Sequence, residues 1–196
     1  KLTEEQARML TMLGDRKRAL ISGGAGTGKT LLAFQRASEL AAKGNRTLLI
    51  CYNNLLGESL ADNASEIENL EASSLFSFIA RQIAKVKEML GRDLSKEAAI
   101  AYPSSDLYDV QQPFALALAA ELIDKYDAII IDEGQDFHDS YWMGVEDFLI
   151  EDGYFYIFYD HNQRLYNKEA KFPINEAPFY LTHNCRNTSE IHAFCY

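Results

Sequence analysis

Gly23-Gly24-Ala25-Gly26-Thr27-Gly28-Lys29-Thr30 (GGAGTGKT) follows a short apolar run, Arg18 to Ser22, and precedes a segment of helical spacing that extends to about Lys43. The string satisfies G-x-x-x-x-G-K-[ST], the pattern of a phosphate-cradling loop set between a strand and a helix. Glycines let successive backbone N–H groups turn inward around a phosphate, and the N-terminus of the following helix adds partial positive charge. Gly23, Gly24, Ala25, Gly26, Thr27 and Gly28 are therefore the expected cradle. Lys29 is placed to reach the β and γ phosphates of a nucleotide, and Thr30 to hold Mg²⁺ through its hydroxyl.

Outward from this loop, helical and strand signals alternate, the pattern of a parallel sheet with helices on its faces. Upstream, Thr3 precedes a short amphipathic stretch to about Leu13. Downstream, Thr47 to Tyr52 reads as a strand, Asn53 to Asp62 as a helix and Leu70 to Ser74 as a short strand. From Ser74 to Leu90 the apolar residues Leu75, Phe78, Ile79, Ile83, Val86 and Leu90 recur at helical spacing, and Gly91 ends the run. Arg92 to Gln112, with Pro103 inside it, is the least regular stretch and reads as a surface insertion. Pro113 suits the first turn of a helix over Phe114 to Tyr126. Ala128-Ile129-Ile130-Ile131 has the unbroken apolar character of a central strand buried on both faces. A helix over Ser140 to Ile150, an aromatic strand over Tyr154 to Tyr159, a short strand over Phe179 to Leu181 and a last helix from near Thr188 complete a three-layer α/β domain.

The central strand ends in Asp132-Glu133, about a hundred residues after the glycine-rich loop. Two acids at that place supply the second half of a nucleotide site. Asp132 is expected to hold Mg²⁺, and Glu133 to orient or deprotonate the attacking water. Glu directly after Asp favours a nucleoside triphosphate hydrolase over a small-molecule kinase.

Asp132-Glu133-Gly134-Gln135-Asp136-Phe137 resembles the DExQD box of the UvrD/Rep-like superfamily 1 helicases. Further pieces of that family's pattern follow its order. Leu2 to Gln6 (LTEEQ) is similar to its Q motif, Tyr159 to Tyr166 (YDHNQRLY) to GDxxQxIY, and Leu181 to Thr188 (LTHNCRNT) to LxxNYRST. Ser74 to Phe78 is similar to its TxHS segment, with Phe76 in the histidine's place. The resemblance spans residues 2 to 188. It implies a RecA-like P-loop NTPase fold over residues 1–196, with a mostly parallel sheet and a short helical insertion at about 74–127. It further implies that Gln6 reads adenine and that Gln163 and Arg186 report the γ-phosphate. Tyr52, Asn54 and Tyr166 become the implied nucleic-acid contacts.

The implied activity is ATP hydrolysis coupled to DNA, with ATP and Mg²⁺ bound. The implied partners are single-stranded DNA, the second RecA-like half of the same parent chain, and a fused nuclease or other effector domain. As a fragment without that second half, the chain is expected to bind nucleotide but hydrolyse it weakly. Departures from the family pattern carry expectations too. Cys185 stands where the family stacks a tyrosine on adenine, Leu31 where it often carries arginine, and Asn167-Lys168-Glu169 where a Trp and an Arg grip the strand. These loosen adenine selectivity and DNA coupling. They leave open a second reading, a regulatory or defence ATPase answering a protein partner or fused effector.

Composition sets the outer bounds. The 196 residues are 47% hydrophobic and 24% charged, as in a folded domain, and 19 basic against 29 acidic residues leave a net charge of −10. Such a surface repels phosphate backbones except where its basic residues cluster, so tight non-specific nucleic-acid binding is not expected. Cys51, Cys185 and Cys195 form no paired spacing, which fits a reducing, cytoplasmic setting. No apolar run has membrane-spanning length, and no membrane partner is expected. His138, His161, His183 and His192 lack ligand spacing and read as solvated or capping residues, and the aromatics of 154–159 read as core.

Overall fold

Six strands and seven α-helices alternate along the chain in the computed structural model, which describes residues 3–161 and 172–182. In order they are α1 (Glu4–Leu13), β1 (Arg18–Gly23), α2 (Lys29–Ala42), β2 (Thr47–Cys51), α3 (Asn54–Ala64), β3 (Leu70–Ser74), α4 (Leu75–Leu90), α5 (Leu94–Ala101), α6 (Gln112–Leu122), β4 (Tyr126–Asp132), α7 (Ser140–Glu146), β5 (Leu149–Tyr159) and β6 (Phe179–Leu181). The strands form one sheet in the order β3-β2-β4-β5-β1-β6, and every pairing is parallel. This is the α/β architecture of a RecA-like P-loop NTPase. All strands point the same way, so the C-terminal ends of β1, β4 and β5 open onto one edge, where such sheets bind ligands.

Alternation along the strands divides the core in two. Ile129 and Ile131 of β4 face a layer built on α4, α5, α6 and α7, whereas Ala128 and Ile130 face α1, α2 and α3. The aromatic strand divides likewise: Phe155 and Ile157 join the first layer, Tyr156 and Phe158 the second. The 154–159 aromatics thus pack as core, as their pattern predicts. Among the described residues, no helix is long and apolar enough to cross a membrane.

Local chemistry explains the element starts. Thr3 closes a capping box on α1, its hydroxyl accepting the Gln6 N–H while the Gln6 side chain accepts from the Thr3 N–H. Asn53 caps α3 through Leu56 N–H, and Ser74 caps α4 through Ser77 N–H. Gly91, at φ +69°, ends α4 in the left-handed conformation.

Three expectations need correction. Arg92 to Gln112 is largely helical: the Asp93 side chain accepts the Lys96 N–H to start α5, and Asp106 starts a π-helical turn at Leu107–Gln111 by accepting from Tyr108 and Asp109. These side-chain caps, rather than apolar spacing, organise the stretch. Next, α6 begins at Gln112 and ends at Leu122, because Tyr126 is drawn into β4 as a buried strand residue. Finally, the helix expected to reach Ile150 stops at Glu146, and Leu149 pairs with Tyr126 to begin an eleven-residue β5. Asp152, at φ +61°, and Gly153 lie where the β4–β5 register shifts, and this bulge hid the strand's true start.

Candidate nucleotide site

β1 delivers the chain to the glycine-rich loop at the sheet's C-terminal edge, and α2 departs from it at Lys29. Gly26 and Gly28 take φ of +82° and +81°, a region that residues with a Cβ avoid. At Gly28 a Cβ would also lie 2.2 Å from Gln6 Nε2. Inside the loop, the Thr27 hydroxyl donates to Gly24 O at 2.9 Å. The N-cap of α2 is Gly28, which has no side chain to cap the first turn.

Lys29 is buried, and its ammonium is held by two loop carbonyls and by Asp160. Nζ donates to Gly23 O at 3.0 Å and Gly24 O at 3.1 Å, and lies 3.5 Å from Asp160 Oδ2. Asp160, buried at the end of β5, went unassigned in the sequence. It stands within the Tyr159 to Tyr166 motif, and the strand order shows its place, because β5 lies between β1 and β4 and carries Asp160 between the loop and the two acids.

Asp132 is fully buried at the end of β4, and neither carboxylate oxygen has a hydrogen-bond partner among the described residues. Burial pushes its pKa up to about 6 and the Glu133 charge adds to this, while the nearby Thr30 hydroxyl and Lys29 act against it. The Thr30 influence is one of proximity, since no hydrogen bond of ordinary geometry joins the two. An orphaned buried carboxylate beside a threonine hydroxyl is a donor set that fits a hard divalent cation.

Glu133 follows in a left-handed conformation at φ +54°, half-buried, and its Oε2 accepts from Gln135 Nε2 at 2.7 Å. Gln135 Oε1 in turn accepts the Asp160 N–H at 2.9 Å. A Cβ at Gly134 would meet Ile157 Cγ2 at 2.5 Å, so glycine is what lets this turn lie against β5. Cys51, in register with Asp132, is buried, and its thiol is pushed up to about 12 by burial and by the Asp132 and Glu133 charges.

Gln6 is buried against the loop, and its Nε2 donates to Thr27 O at 3.0 Å. It is a buried residue that braces the loop and not a solvated helix residue. Tyr52 lies one residue past β2, partly exposed, its ring 5.5 Å from that of Phe76 and 6.2 Å from that of Phe137. Asn54 begins α3 and is exposed on the same edge. Phe76 packs also on Tyr108 and Tyr141, which accounts for an aromatic there. Gln163, Tyr166, Cys185 and Arg186 lie outside the described residues, as do His183, His192 and the helix expected near Thr188. His138 and His161 each place Nδ1 by a serine hydroxyl, on Ser140 and Ser22, and no cluster of three or more His, Cys, Asp and Glu suited to a metal occurs among the described residues.

The loop, Thr30, Asp132, Glu133 and Asp160 thus converge on one edge of the sheet. A family model described as Schlafen group 3, DNA/RNA helicase domain, matches residues 16–188, spanning every one of these positions. No curated protein matches the chain.

Proposed function

The chain belongs to the family described as Schlafen group 3, DNA/RNA helicase domain, and is thus a nucleotide-binding, helicase-like domain; from that premise we propose that it is the ATP-hydrolysing motor half of a nucleic-acid-dependent ATPase of the UvrD/Rep-like kind. The observation that carries this reading is Asp132, a buried carboxylate without a hydrogen-bond partner among the described residues, set beside the Thr30 hydroxyl at the mouth of a phosphate-binding loop.

The loop N–H groups and Lys29 bind the triphosphate, with Lys29 exchanging the Gly23 and Gly24 carbonyls for phosphate oxygens. Thr30 and Asp132 would hold Mg²⁺, which supplies neutralisation of charge on the β and γ phosphates. Glu133 accepts the proton of the attacking water as its oxygen bonds to the γ-phosphorus and the bridging oxygen leaves with ADP. Gln163 and Arg186 complete the γ-phosphate contacts in this reading, and Gln6 holds the loop and the adenine end. Single-stranded DNA is the proposed effector, over Tyr52, Asn54 and Tyr166, with a second RecA-like half of the parent chain closing the cleft.

Steady-state ATP hydrolysis by the full-length protein, with and without single-stranded DNA and at two salt concentrations, tests this with Glu133→Gln as the blank. Stimulation of about tenfold that weakens with salt is expected, and a Glu133→Gln variant that turns over like wild type ends the assignment. The net charge of −10 favours a second reading, a regulatory or defence ATPase moved by a protein partner or fused effector. A real basal rate that nucleic acid leaves unchanged selects it.

A further inference from the structure

The side chain of Gln135 bridges the turn after β4 and the end of the neighbouring β5. Its Nε2 donates to Glu133 Oε2 at 2.7 Å, and its Oε1 accepts the Asp160 N–H at 2.9 Å. Asp160 Oδ2 lies 3.5 Å from Lys29 Nζ. One amide thus ties the carboxylate at the end of β4 to the end of β5, which in turn touches the loop lysine beyond it. Glu133 needs such a tie. It sits in the left-handed region at φ +54°, where a residue with a side chain is strained, and Gln135 Nε2 supplies its side-chain hydrogen bond. Gly134 brings the tie within reach by letting the turn lie against Ile157 of β5.

We propose that Gln135 is a positioning residue for ATP hydrolysis, fixing the Glu133 carboxylate against the end of β5 so that the base and Lys29 keep one mutual geometry. The inference rests on Glu133 acting as the base. A base misplaced by about 1 Å loses up to about a hundredfold in rate while ground-state binding is untouched. Gln135 therefore governs turnover and not nucleotide affinity.

The test uses the full-length protein and four variants, with Mg-ADP binding and ATP turnover measured separately and thermal melting confirming the fold. Gln135→Met removes both hydrogen bonds at nearly constant volume. Gln135→Glu keeps the acceptor for the Asp160 N–H but faces Glu133 with a second carboxylate. Both are expected to bind Mg-ADP within about twofold of wild type and to lower kcat by about tenfold to a hundredfold. In a Glu133→Gln background, Gln135→Met is expected to add nothing further, because the group it positions is gone. Wild-type turnover in Gln135→Met or Gln135→Glu overturns the proposal, as does an equal, additive loss of the residual single-turnover rate in the Glu133→Gln background, which is the signature of a merely structural part. If Glu133→Gln itself hydrolyses ATP normally, the base assignment fails first, and with it the ground for this inference.

Discussion

Asp132 holds a charge where water does not reach it, and the consequence is measurable without any ligand. Its carboxyl is raised from an ordinary 3.8 to about 6, mainly by burial. Above pH 6 the metal-free fold must carry an unpaired buried carboxylate that the unfolded chain carries in water, so the group destabilises. The penalty fades as pH falls from 6 toward 3.8, where the folded state takes up the proton first. A shift of this size corresponds to about 3 kcal/mol, and an Asn, which must still find partners, recovers about 1–2 kcal/mol of it. In the presence of EDTA, Asp132→Asn is therefore expected to melt above wild type at pH 7.5 and to lose that advantage near pH 4.5. Identical melting curves at both pH values contradict the buried-charge account. Gly28 makes the opposite case. At φ +81° and 2.2 Å from Gln6 Nε2, a Cβ there is both strained and obstructed. Gly28→Ala is expected to cost about 1–3 kcal/mol in denaturant titrations, and less in a Gln6→Ala background because the obstruction is gone. Equal costs in the two backgrounds mean that the brace on the loop is not felt.

At the scale of elements, legibility followed how local the cause was. The α4 periodicity was readable because one face is buried: Leu75, Phe78, Ile79 and Val86 are inside, while Leu90, at the C-terminal end of the same stripe, is half exposed. Phe78 is the centre of that face, packed on Phe148 at 5.1 Å and Tyr126 at 6.2 Å between ring centroids. Phe78→Ala is expected to cost about 3–5 kcal/mol, and Phe76→Ala, on the half-buried side of the helix, clearly less. Chemical denaturation of the two variants checks it, and similar losses would place the core on the wrong face of α4. Elements made by side-chain caps or bulges escaped the sequence. The α5 start depends on Asp93 meeting one N–H, and the β5 start on a bulge at Asp152-Gly153, neither of which leaves a periodic trace. The candidate site divides the same way. The loop, Thr30 and Asp132-Glu133 are contiguous strings, whereas the contacts of Asp160 with Gln135 and with Lys29 arise from the insertion of β5 between β1 and β4.

That strand order governs the molecule as a whole. Lys29 follows β1, Asp132 ends β4 and Asp160 follows β5, so the proposed nucleotide site is spread over three adjacent strands with a helical layer on either face. A ligand spanning those strand ends ties both layers to one sheet, and its binding energy counts toward the stability of the whole domain. At a ligand concentration a hundred times its Kd, linkage adds about 2.7 kcal/mol. For a domain of this size each kcal/mol raises Tm by about 2–4 °C, so saturating Mg-ADP is expected to raise the melting temperature by about 5–10 °C in a single transition. The magnesium dependence is the sharper part of the prediction. With Asp132 holding Mg²⁺ as proposed, its carboxylate is a cost to the fold that the cation offsets, so EDTA is expected to remove most of the ADP stabilisation, and Asp132→Asn to abolish its magnesium dependence while raising the metal-free baseline. Differential scanning calorimetry with ADP alone, Mg²⁺ alone and both together reads each term. Equal stabilisation by ADP with and without Mg²⁺ would mean that the buried carboxylate serves the fold of β4 and not the bound metal.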